Sequence, residues 1–390
     1  MIVPTKMTAR ERIIAALHLQ PVDKIPFVPL IDTYTLIDMP EEIHSTSDGV
    51  KGYHEGIIAA SRKLKCDLFV RHVPVLKEWD HYAPHLQQLG PFTTPVEVKA
   101  DFEGTDLREH LRCKKGNLTG VWRFTDKVGG IPHPVKRAVT NYEEMKIFHH
   151  LVDNLARTSP ELDSESFIKV ESDIGDDGLA TATISNSPLM YLIEMAWGLE
   201  NTYYFLQDYR SEVEEILDKL HLSLKRIVES IAKSPAQVVI QYENTSSTLL
   251  SPDVFRKYCL PYINEYAEIL RKAGKIFLVH MCGLLQVFVD DFVGARFNGI
   301  ADITPKPTGN LSLDEAAKRL PGKVVVGGID PITFICDNPE TVKNEISILL
   351  ERVKPFPGVL LGSADTAPRG TPAENFHLIR SLVDTVGSYH

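Results

Sequence analysis

The sequence predicts an α/β protein of the (β/α)8, or TIM-barrel, class, with an antiparallel β-rich insertion between its second and third strands. Three observations lead there. Eight short apolar runs of strand length recur along the chain, separated by segments of helical period. The rhythm fails in one place, residues 73–160, where Thr, Gly, Pro and aromatic residues replace it. The last five runs each end in acidic, amide, histidine or cysteine side chains, and strand C-termini are where this fold gathers its reactive groups.

Taken in order, "MTARERIIAALHL" opens with Thr8 as an N-cap, continues as an amphipathic helix and is ended by Pro21. "KIPFVPLID" reads as the first strand, made irregular by Pro26 and Pro29. Helix "GYHEGIIAASRKLK" and strand "CDLFVRH" follow. "PFTTPVEVKADFEG" and "GNLTGVWRFTDKVGGIPHPVKRAV" then alternate polar and apolar residues, which predicts antiparallel strands. That insertion is either a lid over the reactive face or a surface excursion. The βα units return with strand "GLATATISN", helix "PLMYLIEMAWG" and strand "AQVVIQYEN". Strands "KIFLVHMCG", "GIADITP", "KVVVGGIDP" and "GVLLGSAD" complete the eight. "LSLDEAAKRL" and "NPETVKNEISILLERV" are the clearest of the intervening helices. The expected organisation is one barrel domain over residues 1–390, with residues 73–160 inserted in it.

With 390 residues, 43% of them hydrophobic and 24% charged, the chain can bury a sizeable core. A formal charge of −10 argues against holding nucleic acid or an acidic membrane by general electrostatics. No apolar run approaches the roughly 20 residues of a membrane span, and the N-terminus lacks the apolar core of a secretory signal, so a cytoplasmic location is expected. Five cysteines, an odd number without framework spacing, fit reduced thiols or a metal site better than disulfides.

The polar strand ends carry the chemistry. They are Tyr242-Glu243-Asn244, His280-Met281-Cys282, Asp302, Asp330 and Asp365. In an extended segment residues two apart share a face, so His280 and Cys282 can direct an imidazole nitrogen and a thiolate at one ion. An acidic oxygen from Glu243 or Asp365 would complete the three protein ligands of an open zinc site. The alternative is an inert buried cysteine beside a hydrogen-bonding histidine. Other motifs point elsewhere. "ESDIGDDG" lacks EF-hand spacing and reads as a solvated turn. "VVGGID" lacks a nucleotide-binding pattern. His149-His150 reads as surface and Cys336 as packing.

The segments "RERIIAALHLQPVDKIPFVP", "SPLMYLIEMAWGLEN", "SPDVFRKYCLPYINEYAEILRKAGKIFLVHMCG", "VVVGGIDP" and "GVLLGSADTAPRGTPAENF" together resemble the uroporphyrinogen decarboxylase superfamily. Within it, the chain resembles the zinc-dependent methyltransferases that exchange methyl groups with corrinoid (cobalamin) cofactors. The resemblance implies a barrel with its site at the C-terminal mouth. Decarboxylases of the superfamily carry an arginine-rich segment after the first strand that holds tetrapyrrole carboxylates. Here "PLIDTYTLIDMPEE" has no arginine, which disfavours that activity. The methyltransferase branch carries His-x-Cys after strand five, matched by His280 and Cys282, and often a cysteine after strand eight. In that place this chain has Ala364. Glu243 is therefore the first expectation for the third ligand and Asp365 the second.

The function these readings imply is zinc-dependent methyl transfer between a small methylated molecule, preferably a methoxylated aromatic, and the corrinoid of a partner protein. Aromatics of the insertion (Tyr82, Phe92, Trp122, Phe124) would cover a flat ring, or else pack into the insertion's own core. Tyr242, Glu243, Asn244, Asp302 and Asp330 are the candidate catalytic residues. Three rivals stand beside it. One is the reverse direction, from methyl-corrinoid to a thiol. The second is a metal-free lyase using Asp302, Asp330 and Tyr242. The third is an idle barrel kept to dock a corrinoid protein. A homodimer is compatible with all of them.

Overall fold

The computed structural model describes residues 6–45, 53–77, 91–124, 132–155, 157 and 159–389. In chain order the strands are β1 (Leu68–Val70), β2 (Glu97–Glu103), β3 (Asp106–Cys113), β4 (Gly116–Arg123), β5 (His133–Lys136) and β6 (Gly178–Ile184). They continue with β7 (Val238–Tyr242), β8 (Ile276–His280), β9 (Gly299–Ile303), β10 (Val324–Ile329) and β11 (Val359–Ser363). β1 and then β6 to β11 form one parallel sheet in that order, while β2 to β5 form a separate antiparallel sheet. Helices separate the later parallel strands, an arrangement consistent with a TIM-like barrel.

The expected first strand is the exception. Residues 26–30 form only isolated bridges, Phe27 with Leu361 and Leu30 with Thr366. Pro26 and Pro29 lack the N–H groups a regular ladder needs. The segment nevertheless joins the two ends of the sheet. Val28 N–H donates to Leu361 O at 2.7 Å, Leu361 N–H to Pro26 O at 2.9 Å, and Asp67 N–H to Phe27 O at 2.8 Å.

Side-chain alternation sorts each parallel strand between two apolar clusters. Phe69, Leu179, Val238, Ile240, Ile276, Leu278, Ala301, Val324, Val326 and Leu360 meet inside the curled sheet. Helix Ala9–Leu17 contributes Ile13, Ala16 and Leu17 to the same cluster, and Thr8 caps it as expected. Their neighbours Val239, Phe277, Val279, Ile300, Val325 and Leu361 face the helices instead. Below the inner cluster, Arg12 Nε pairs with Asp23 Oδ1 at 2.7 Å and Arg12 Nη1 with Asp67 Oδ1 at 3.1 Å, all three residues buried.

The insertion forms the antiparallel sheet foreseen for it. Leu111 and Leu118 are fully buried in the same core as Met145 and Phe148 of helix Tyr142–Asp153. Trp122 is buried and its Nε1–H donates to Glu109 Oε2 at 2.7 Å, which commits the indole to the insertion's own packing. Phe124 lies against the exposed Phe102, and Phe92 bridges to Leu155. Tyr82 lies outside the described residues.

Candidate metal centre

Strand alternation builds the site. On β8, Ile276 and Leu278 face the inner cluster, and His280 follows them in phase. Met281 turns into the outer core and Cys282 returns to the inner side. The ligand atoms of His280, Cys282 and Asp365 all lie within 4.8 Å of one another. Imidazole nitrogen, thiolate and carboxylate form the donor set a borderline ion such as zinc accepts, with a fourth position left open.

A second layer fits the same use. His280 Nδ1 is hydrogen-bonded to Asp302 Oδ2, which leaves Nε2 as the coordinating nitrogen. A carboxylate behind a histidine in this way fixes ring orientation and tautomer at metal sites. Asp302 is itself clamped by the buried guanidinium of Arg71, with Nη2 2.7 Å from Oδ1 and Nη1 on Oδ2. The ring of Tyr242 lies between those of His72, 4.5 Å away, and His280, 4.6 Å away.

Asp302 reaches this place through a β-bulge. Ile300 pairs with Val325 and Ile303 with Gly327, so two residues of β9 oppose one of β10. Ala301 keeps the inner phase, and Asp302, at φ +70°, is turned inward as well. Gly327, at φ +119°, lets β10 approach: a Cβ there would meet Ile303 N at 2.7 Å. Of the two glycines of "VVGGID", Gly327 thus serves strand contact, while Gly328 (φ +93°) makes room for the Leu313 side chain of a helix. His72 (φ +59°), Asn244 (φ +54°) and Asp302 are left-handed non-glycine residues at strand ends, a kind of strain that collects at functional sites.

Charge follows this geometry. Burial opposes ionisation of Asp302, but Arg71 and His280 overcome it and hold the carboxyl well below the usual range. Burial also opposes protonation of His280, and Asp302 outweighs it, raising the imidazole well above its ordinary value. The Cys282 thiol is pushed up by burial and by Asp365. A divalent ion would reverse this, since it binds the thiolate and neutral imidazole and releases their protons.

Glu243 is not brought into the ligand group. Tyr242 takes the inner phase of β7, so Glu243 points outward. There it is fully buried, with Oε1 accepting from Ser187 Oγ–H and Oε2 from Ser187 N–H, each at 2.6 Å. Burial pushes its carboxyl up to about 8, a neutral acid at neutral pH. The acidic oxygen beside His280 and Cys282 is that of Asp365. Asp330 is occupied differently from expectation too: it caps helix Pro331–Phe334, accepting from Ile332 N–H at 2.9 Å and Thr308 N–H at 3.3 Å.

Sequence reasoning missed three groups. Arg71 follows Phe69 in phase on "CDLFVRH", the signal that would have found it. Glu194 lies in the expected helix, but within a π-helical stretch, Leu192–Ala196. Its Oε2 accepts from Asn186 Nδ2–H at 2.7 Å and Asn244 Nδ2–H at 2.9 Å. Asn186 stands just past β6, as Asn244 stands past β7. A second cluster, His149, Asp153 and Glu215, already holds the Lys219 ammonium, hydrogen-bonded to all three. In "ESDIGDDG", Glu171 pairs with Arg10 and Asp177 with Arg62, in keeping with a turn.

No helix among the described residues is long and apolar enough to cross a membrane. The chain resembles a methyltransferase from Methanosarcina mazei in fold, with a TM-score of 0.61 and 16% identity over 97% of this chain and 99% of that one. A B12-independent methionine synthase from a Shewanella species aligns over 93% of this chain and 98% of that one at 11% identity and a TM-score of 0.48. No curated protein matches the sequence. The family description "Uroporphyrinogen decarboxylase (URO-D)" matches residues 128–389, which include β6 to β11 and every ligand of the candidate metal centre. The chain therefore belongs to the uroporphyrinogen decarboxylase family.

Proposed function

We propose that this protein is a zinc-dependent methyltransferase that moves a methyl group between a small methylated molecule and the corrinoid of a partner protein, with a methoxylated aromatic as the preferred donor. The observation that carries the reading is the convergence of His280, Cys282 and Asp365, with Asp302 and Arg71 behind the histidine. Those three residues would hold the zinc, which when bound supplies Lewis acidity at the leaving heteroatom. A carboxylate in place of a second thiolate makes such an ion a stronger Lewis acid, which suits an ether oxygen.

The chain's own residues do the rest. Arg71 and Asp302 fix the His280 ring, so the ligand nitrogen is set before a donor arrives. Tyr242 stacks on the His280 ring and is backed by His72, which braces the ligand imidazole from its face. Residues 26–30, bonded to Leu361 of β11 on one side and to Asp67, just before β1, on the other, support a barrel whose mouth a docked corrinoid protein would cover. The metal-free lyase reading loses support, since Asp302 is held by two cations and Asp330 is a helix cap.

The test is metal analysis of protein purified without chelator, with Cys282→Ala, Asp365→Ala and Glu243→Ala alongside. About one zinc per chain in wild type is expected, lost in the first two variants and kept in the third. Wild-type protein that stays empty after zinc is added rejects the reading.

A further inference from the structure

We propose that Glu194 is the proton donor to the leaving oxygen of the methyl donor, an inference that rests on the methyltransferase reading above. The geometry points to it in two independent ways. Glu194 sits on the π-helical stretch Leu192–Ala196, and single π turns inside helices recur at functional sites. One of its oxygens is fixed by two amides from neighbouring strand ends, Asn186 past β6 and Asn244 past β7. The other oxygen, Oε1, forms no hydrogen bond among the described residues. The second sign is Asn244 Oδ1, which is buried without a hydrogen-bond partner. A hydroxyl-bearing ligand would satisfy it, and the phenol formed on demethylation is such a ligand.

The groups facing this carboxyl are His280 and Arg137, whose charges favour its ionisation, and the Glu243 carboxyl, whose own ionisation it opposes. Burial outweighs the cations and the two amides and pushes the carboxyl up to about 7, the range in which a general acid is effective near neutrality. In the step, the methyl carbon–oxygen bond breaks and its electron pair stays on oxygen. The carbon bonds to the acceptor, a reduced corrinoid that supplies the pair for the new bond. The Glu194 proton passes to the oxygen, and the carboxylate regains a proton from solvent. A phenol leaves rather than a phenolate.

The test uses the full chain loaded with zinc, cob(I)alamin as acceptor and a series of para-substituted methoxybenzenes, comparing wild type with Glu194→Gln and Glu194→Asp. Zinc content of each variant reports whether the centre is intact. The expected result for Glu194→Gln is a kcat lower by about 10²- to 10⁴-fold on donors with weakly acidic phenols, with KM changed little. The loss should shrink below about tenfold on nitro-substituted donors, whose phenolates leave unaided, and Glu194→Asp should recover part of it. Wild-type kcat should fall as pH rises through the range in which Glu194 ionises, and Glu194→Gln should flatten that limb. Equal losses across the whole series would make Glu194 structural and overturn the proposal, as would wild-type rates in the Gln variant. A wild type inactive on every donor would instead reject the methyltransferase reading and take this inference with it.

Discussion

Glu243 shows how one position can be chemically well chosen and sterically misplaced. Its carboxylate is the right ligand type, but β7 presents Tyr242 to the mouth and Glu243 to Ser187. The run "VVIQYEN" could not reveal this, because a strand buried on both faces has no polar phase to mark the inner side. His280 and Cys282 were legible because two residues apart means the same side in either phase. The misplaced carboxyl has a measurable signature. Its folded value near 8 lies above the unfolded one, so the folded state binds more protons between about pH 4.5 and 8. Stability is therefore fullest below the unfolded value and falls as pH rises through that window. Glu243→Gln should remove the decline. Urea unfolding is expected to show the variant gaining about 3 kcal/mol on wild type between pH 5 and 8.

Among the elements, the strands from β6 to β11 were readable from their apolar runs, and the antiparallel insertion from its alternation. The first strand was overread: its hydrophobicity is right, but two prolines remove the donors that would make it regular. The π-helical stretch carrying Glu194 was not readable, since "PLMYLIEMAWG" has an ordinary helical pattern and the extra residue per turn is set by tertiary packing. Nor was the β9 bulge, on which the aim of Asp302 depends. Its partner glycine gives the test. Gly327→Ala combines a left-handed backbone with a contact to Ile303 N, and is expected to cost about 3 kcal/mol and to weaken zinc binding in a chelator competition. Gly322→Ala, also left-handed at φ +81° but in open space, should cost about 1 kcal/mol and leave zinc binding unchanged.

For the molecule as a whole, the two ends of the curled sheet divide the work. At the end where the strands begin, helix Ala9–Leu17 and the buried Arg12, Asp23 and Asp67 close the inner cluster. At the other end stand the candidate ligands His280, Cys282 and Asp365. Removing one member of a buried ion network leaves its partners unpaired, so Arg12→Met is expected to lose about 3 to 5 kcal/mol in chemical unfolding. Zinc content per folded chain should stay at the wild-type level, because Arg12 touches nothing at the mouth. Equal loss of both would mean that the two ends are not separable. The broad class of this architecture was legible from rhythm alone. Membership in the family was legible from motif strings, while which carboxylate stands beside His280 and Cys282 required knowing which way each strand faces.

The extra residue in β9 has a consequence for descent as well as for geometry. Losing one residue just after Asp302, so that Asp302 takes the place of Ile303 opposite Gly327, would leave every acidic side chain of the site present and yet turn this one to the helices, behind the sheet. His280 would then lose its orienting partner without a single substitution. Among relatives, a gap of one position in this strand would thus be as informative as a changed ligand. Chains of this family that keep His-x-Cys but lack the extra residue are expected to bind zinc more weakly in a chelator competition, unless another anion stands behind the histidine.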